Sequence, residues 1–479
     1  MKVLFVASEC APFIKTGGLA DVIGAVPKAL GPLGIQARVM LPCYPALQQI
    51  ADGGKAVWQS DELHGGPARL VAVQAEGIDL ILLDAPHLYD RGGNIYLDEN
   101  GVDWADNVFR FGALSWVAAQ IAAEGLDGWA PDVFHVHDWQ AGLVPAYLRQ
   151  MNRPTPPCIL TIHNIAFQGL FPPAQINALG LDSKMFTPDG LEYYGNVSFL
   201  KAGIVYSDKI TTVSPTYARE IMQPEFGMGL EGLLSARSSD VSGILNGIDF
   251  DVWDPETDAA LESNYSVKRL KAKAPNREKL LQRFSLDASD DAPLFCVISR
   301  LTTQKGLDLL LEALPALVDR GARLAVLGSG DKGLEAEYAA AAQRYAGTVG
   351  VIIGYDEPLS HLMQAGSDAI LIPSRFEPCG LTQLYGLRYG TVPVVARTGG
   401  LADTIIDANE AATAAGCATG VQFSPVTAAA LSHAITHTCD LFEDKSGWAG
   451  MMRRAMRHPV GWETSAAAYA AIYSSFAKT

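Results

Sequence analysis

Short apolar runs, separated by longer stretches with helical spacing, recur along the whole chain. Runs at residues 2–8, 36–41, 79–84, 133–136, 159–162 and 209–213 predict strands. Stretches between them, such as 108–123 and 141–150, repeat apolar residues at helical intervals. A strand covered on both faces reads as a continuous apolar run, so the alternation predicts parallel sheets with right-handed crossovers. The pattern restarts after Asp251. Residues 254–293 are polar, with Lys268, Arg269, Lys271 and Lys273 close together, and read as a connection. Strands return at Leu294–Ile298, 323–327, Val349–Ile353, Ala369–Ile372 and Val392–Ala396. Trp462, Ala466, Tyr469, Tyr473 and Phe476 then fall on one face of a closing helix. Residues 86–104 have no period, and read equally as a binding loop or a surface excursion.

At 479 residues the chain is too long for one core. The restart divides it into a domain at 1–242, a second at 243–458 and a terminal helix at 459–479 that packs back on the first. The net charge of −16 argues against a nucleic-acid partner. It also makes cations in glycine-rich turns more telling. Seven cysteines without a CxxC pair suit a reducing compartment. No apolar run approaches the roughly 20 residues of a membrane span. The N-terminus enters a strand directly, without the pattern of a signal peptide. The expectation is a cytoplasmic protein with no membrane partner.

The chemistry gathers just past predicted strand ends, where open α/β sheets bind ligands. Ser299-Arg-Leu-Thr-Thr-Gln-Lys-Gly306 follows one strand and Ser374-Arg-Phe-Glu-Pro-Cys-Gly-Leu-Thr-Gln-Leu-Tyr385 another. Arg300 and Lys305 suit a diphosphate, and Glu377 suits hydroxyls. Lys15-Thr-Gly-Gly-Leu-Ala-Asp21 recurs as Arg397-Thr-Gly-Gly-Leu-Ala-Asp403. The echo implies two related sheets facing a central cleft, each offering a glycine turn and a helix N-terminus. At Gly17 and Gly18, backbone amides beside Lys15 can approach phosphate. Asp138, past the run 133–136, is placed to hydrogen-bond a polyol. His163, past 159–162, serves by ring or by carbonyl.

Three patterns compete. Gly328-Ser-Gly-Asp-Lys-Gly333 matches the dinucleotide fingerprint, with Asp356 further on, and makes an NAD-dependent oxidoreductase the alternative function. Against it, Asp331 puts a negative charge among the amides. His135 and His137, with His163, suggest a metal site that lacks further ligands. Asp249-Phe-Asp251 is a DxD of the kind that holds Mg²⁺ on sugar nucleotides, though chance also yields it in a chain this rich in Asp.

Taken together the motifs resemble those of bacterial glycogen synthases, the glucan synthase family shared with starch synthases. The resemblance runs nearly end to end. It includes the KTGGLADV opening, Ala85-Pro-His-Leu-Tyr-Asp90, His135-Val-His-Asp-Trp139, Thr161-Ile-His-Asn164, Val213-Ser-Pro-Thr-Tyr217 and Leu245-Asn-Gly-Ile-Asp249, besides the 299–306, 374–380 and 397–400 stretches. It implies an α/β fold of GT-B type, with two Rossmann-like doubly wound domains. It implies transfer of glucose from ADP-glucose to the non-reducing end of an α-1,4-glucan, with retention, without a metal or other cofactor. By the resemblance Lys15, Gly18, Arg300, Lys305, Leu381 and Thr382 meet the diphosphate, and Tyr355 stacks on adenine. Asp138, His163, Asn246, Glu377, Cys379 and Gly380 surround the glucose. Related transferases often carry a second Glu eight residues after the first. Tyr385 stands there, which leaves Glu377 to act alone.

Overall fold

Strand β1 (Lys2–Val6) has no exposed surface from Val3 to Val6, as a strand covered on both faces requires. It lies inside a nine-stranded sheet. The computed structural model describes residues 1–288 and 292–476. It divides into a unit of Met1–Leu245 with Trp462–Thr479, and a unit of Asn246–Gly461.

In the first unit the chain continues through β2 (Gln36–Pro42), β3 (Lys55–Ser60), β4 (Ala68–Ala75), β5 (Ile78–Asp84), β6 (Val133–His137) and β7 (Cys158–Ile162). A small antiparallel sheet follows, of β8 (Leu170–Phe171), β9 (Glu192–Tyr193) and β10 (Asn196–Ser198), and then β11 (Lys209–Thr212) and β12 (Val241–Gly243). The large sheet is ordered β12-β11-β7-β6-β1-β2-β5-β4-β3. It is parallel except for β4, which runs against both neighbours. From β1 the chain winds one way to β2 and then returns to the other side at β6. That reversal is the switch point at which the crevice opens.

The second unit holds β13 (Leu294–Ile298), β14 (Arg323–Gly328), β15 (Val349–Ile353), β16 (Ala369–Ile372), β17 (Val392–Ala396) and β18 (Val421–Phe423). Their order is β15-β14-β13-β16-β17-β18, all parallel, the strand order of the doubly wound Rossmann fold. Alternate side chains feed two cores. Phe295, Val297, Leu324 and Val326 join one, with Leu310 and Leu317. Leu294, Cys296, Ala325 and Leu327 join the other, with Leu280 and Met363. The switch point lies between β13 and β16, so the turns at 299–306 and 373–381 are neighbours.

One segment differs from its expected character. Residues 254–293 are not a mere connection. They contain the helix Ala274–Arg283, bury Tyr265, Leu280 and Leu281 in the second unit's core, and bury Lys273, whose Nζ donates to Thr391 Oγ1 at 2.9 Å. The charged side chains masked this core face. Residues 86–104 are held by Arg110, which is fully buried and donates to the carbonyls of Leu88 and Ile95, both at 2.8 Å. The terminal helix Glu463–Phe476 packs against the helix Gly18–Leu30. Its Tyr473 hydroxyl lies 2.7 Å from His135 Nδ1.

Candidate active site

In the first unit, the turn after β1 is organised around a residue that no motif flagged. Glu9 is buried, and its carboxylate accepts from Thr16 N, from Thr16 Oγ1 at 2.6 Å and from Gly17 N at 3.2 Å. Tyr96, from the 86–104 excursion, donates its hydroxyl to Glu9 at 2.5 Å. Of the two amides expected to await a phosphate, that of Gly17 thus already holds a carboxylate, together with Thr16 N. A charge six residues before Lys15 was the only signal in the sequence. Lys15 itself is paired with Asp21 at 2.8 Å and half-exposed. A side chain placed on Gly17 would meet nothing within 4 Å, so the outer side of the turn is open.

Asp138 and His163 come together at the ends of β6 and β7. His163 N donates to Asp138 Oδ1 at 2.7 Å, and Asn164 N adds a second bond. Asp138 has φ 53° and ψ −166°, a region that side chains rarely occupy. Burial pushes its carboxyl up to about 7, against the pull of those two amides. Around it lie three neutral imidazoles, held so by burial: His135 and His163 at about 3, and His137 well below its usual range. His135 engages both ring nitrogens, with Tyr473 at 2.7 Å and Thr161 Oγ1 at 2.6 Å, which explains the pattern that suggested a metal site. Among the described residues no three His, Cys, Asp or Glu are grouped to hold a metal ion.

In the second unit, Lys305 Nζ and Glu377 Oε2 are 2.5 Å apart and largely buried. Ser374 Oγ donates to the same oxygen at 3.0 Å. Arg300 is exposed, and its guanidinium has no hydrogen-bond partner among the described residues. The two turns are stitched together. Arg375 N donates to Gln304 O at 2.9 Å, and the Arg375 guanidinium grips Asp308 with two bonds of 2.7 Å. Gly306, at φ 68°, is obligatory, since a Cβ there would lie 1.9 Å from Pro373 O.

Beside the pair, Cys379 is buried, and burial pushes its thiol up to about 12, so it is a neutral wall and not a nucleophile. The Asn246 backbone bonds to Cys379, and Asn246 Oδ1 is buried with no hydrogen-bond partner among the described residues. Gly380, at φ 72°, and Leu381 lead into the helix Thr382–Tyr389, which no side chain caps. Tyr355 follows β15 with 82% of its surface exposed, the condition for an aromatic face to stack on a ligand. Tyr385, at the place of the second Glu, stacks on Trp253 at 3.7 Å and 11°, with His361 on the other ring face at 3.7 Å.

The competing motifs resolve into local structure. Asp331 caps the helix Lys332–Arg344 by accepting from Leu334 N at 3.0 Å. Gly330 N donates to Glu335 Oε1 at 2.9 Å, and Asp331 N to Leu301 O at 2.8 Å. The chain's own groups thus occupy the fingerprint's amides. Its glycines are there for contact, because a Cβ on Gly328 or Gly330 would meet the carbonyl of Ser299 or Leu301 at 1.9 or 2.5 Å. Asp249 accepts from Asp251 N at 2.9 Å in a local turn. The echo at 397–400 is a buttress and not an open anion turn: Gly400 N donates to the carbonyls of Glu377 and Pro378, both at 3.1 Å.

Residues 2–236 match the starch synthase catalytic domain family, and residues 278–444 the glycosyl transferases group 1 family. The chain is 74% identical to a glycogen synthase of Roseobacter denitrificans over 99% of both chains. It is 56% identical to a glycogen synthase of Paracoccus denitrificans, again over 99% of each. Among solved structures it is similar to the catalytic domain of starch synthase IV from Arabidopsis thaliana bound to ADP and acarbose. That match has 30% identity and a TM-score of 0.87, and covers 100% of this chain and 99% of the other. A sucrose-phosphate synthase from Thermosynechococcus elongatus shares the fold at 16% identity and a TM-score of 0.60, each chain fully covered.

Proposed function

The chain belongs to the glycogen synthase family, and from that membership we propose that it moves glucose from ADP-glucose to the non-reducing end of an α-1,4-glucan, with retention. It is a glycosyltransferase of glycogen synthesis, with two Rossmann-like domains of GT-B type. The adenine donor and glucan acceptor are supported by the ADP and acarbose bound to the related starch synthase.

The observation that carries the reading is the Lys305–Glu377 pair beside the open Arg300 at the second unit's switch point. Breaking the glucosyl–phosphate bond leaves a diphosphate anion and an oxocarbenium-like sugar. Arg300 offers a planar fork and Lys305 a point charge to the departing anion. With the first-turn amides at Leu381 and Thr382, and with Lys15 and the Gly18 amide, they take the part a divalent ion would otherwise play. Glu377, already tied to Ser374, binds sugar hydroxyls. Asn246 Oδ1 and the Gly380 backbone line the sugar next to Cys379, and Tyr355 stacks on adenine. Asp138 accepts from a glucose hydroxyl. The His163 carbonyl shields the cation during front-face attack, which accounts for retention without a covalent intermediate. Among the described residues no helix is long and apolar enough to cross a membrane, and we place the reaction in the cytoplasm.

The test is release of nucleoside diphosphate from ADP-glucose and from UDP-glucose, with and without glycogen, in excess EDTA. The expected result is glycogen-dependent release, faster from ADP-glucose and indifferent to EDTA. Loss of activity that Mg²⁺ or Mn²⁺ restores would contradict the metal-free part. Release without glycogen would contradict transfer.

A further inference from the structure

His137 is fully buried among three rings. Phe5 stacks on it with centroids 5.7 Å apart, His135 lies at 4.3 Å and His163 at 5.3 Å. Burial keeps His137 and His163 neutral, so each ring carries one N–H and one lone pair. His137 Nδ1 lies 3.0 Å from His163 Nε2, so one proton sits between them. His137 Nε2 is buried with no hydrogen-bond partner among the described residues.

Two tautomer pairs satisfy the 3.0 Å contact. If His163 Nε2 donated, the remaining proton of His137 would sit on Nε2, a buried N–H with nothing to accept it. If His137 Nδ1 donates, Nε2 buries only a lone pair. Orphaned buried N–H groups are the rarer of the two. The second arrangement puts the proton of His163 on Nδ1, which has no hydrogen-bond partner among the described residues. His135 cannot replace His137 in this task, because Tyr473 and Thr161 engage both its nitrogens.

We propose that His137 is a positioning residue: its Nδ1–H donates to His163 Nε2, fixes the tautomer and tilt of that ring, and leaves His163 Nδ1–H to donate to a hydroxyl of the transferred sugar. The role of the sugar rests on the proposed function, whereas the tautomer does not. A partner that fixes which nitrogen of a histidine is protonated also fixes what that histidine can do.

The experiment has two arms. In the first, ¹⁵N-histidine spectra of the full-length protein without ligand, assigned with His137→Asn and His163→Asn, report which nitrogens are protonated. The expected result is a proton on Nδ1 of both His137 and His163. A proton on His163 Nε2 would overturn the proposal, whatever the enzyme does. In the second, His137→Phe keeps a ring and removes the donor, and His137→Asn keeps an N–H near Nδ1. We expect His137→Phe to lower kcat about 10-fold with little change in KM for ADP-glucose, and His137→Asn to recover most of it; one neutral hydrogen bond is worth up to about 10-fold. Wild-type kcat in a folded His137→Phe variant would overturn the proposal, as would an equal loss in both variants. If His137→Phe does not fold, the spectra of the wild type decide. Wild-type protein that releases no ADP would defeat the proposed function and leave the tautomer result standing.

Discussion

Asp138 shows why a residue proposed to bind the sugar need not be a comfortable one. Its backbone is strained, and its carboxyl is raised to about 7 from the ordinary 3.8 by burial. A raised folded pKa means a stabilising contribution that is present below about pH 4 and lost as pH rises through 7. Wild-type stability relative to Asp138→Asn should therefore decline between about pH 4 and 7, which thermal melts at several pH values would show. A flat difference would mean that Asp138 titrates normally. The carboxylate is also the form that accepts from a sugar hydroxyl, so wild-type kcat/KM should rise through pH about 7. Asp138→Asn should lose that rise and about 10- to 100-fold in kcat/KM, the worth of one hydrogen bond to a charged group. At this scale the sequence was readable where a residue follows a strand end, as Asp138, His163, Arg300 and Glu377 do. Glu9 was not readable. The hydroxyl that meets it comes from Tyr96, 87 residues away, and no local pattern announces such a pairing.

At the scale of elements, glycine turns that look alike in sequence do different jobs. The turn at 15–18 gives two of its amides, Thr16 N and Gly17 N, to Glu9. Its echo at 397–400 gives an amide to the backbone carrying Glu377, and the 328–333 turn lies against the backbone carrying Arg300. Sequence shows that such turns are tight, but not whether amides or Cα atoms make the contact. Gly399→Ala is the direct check. At φ 45° a Cβ would lie 1.8 Å from Glu377 O, so the Glu377 turn must move. A displacement near 1 Å can cost about 10²-fold, and kcat/KM should fall by that order while circular dichroism keeps its helical signal. Unchanged kinetics would show that Glu377 tolerates displacement. Strands followed a simple rule. Parallel ones buried on both faces, such as β13 and β17, stand out as apolar runs. β3 and β4, at the antiparallel end of the sheet, mix exposed and half-buried positions into their runs and do not.

At the scale of the whole molecule, two sheets carry their chemistry at one kind of place, the carboxyl ends beside a switch point. The first brings an acid, neutral imidazoles and a glycine turn; the second brings cations and a glutamate. This division fits a transfer in which fixed positive side chains receive a departing diphosphate. The most direct measurement is kcat/KM for ADP-glucose in Arg300→Ala and in Lys305→Ala, with glycogen saturating and EDTA present. The account predicts a loss of at least ~10²-fold in each, the usual consequence of removing one preorganised charge-stabilising donor, with the fold intact. Wild-type efficiency in either folded variant would contradict it.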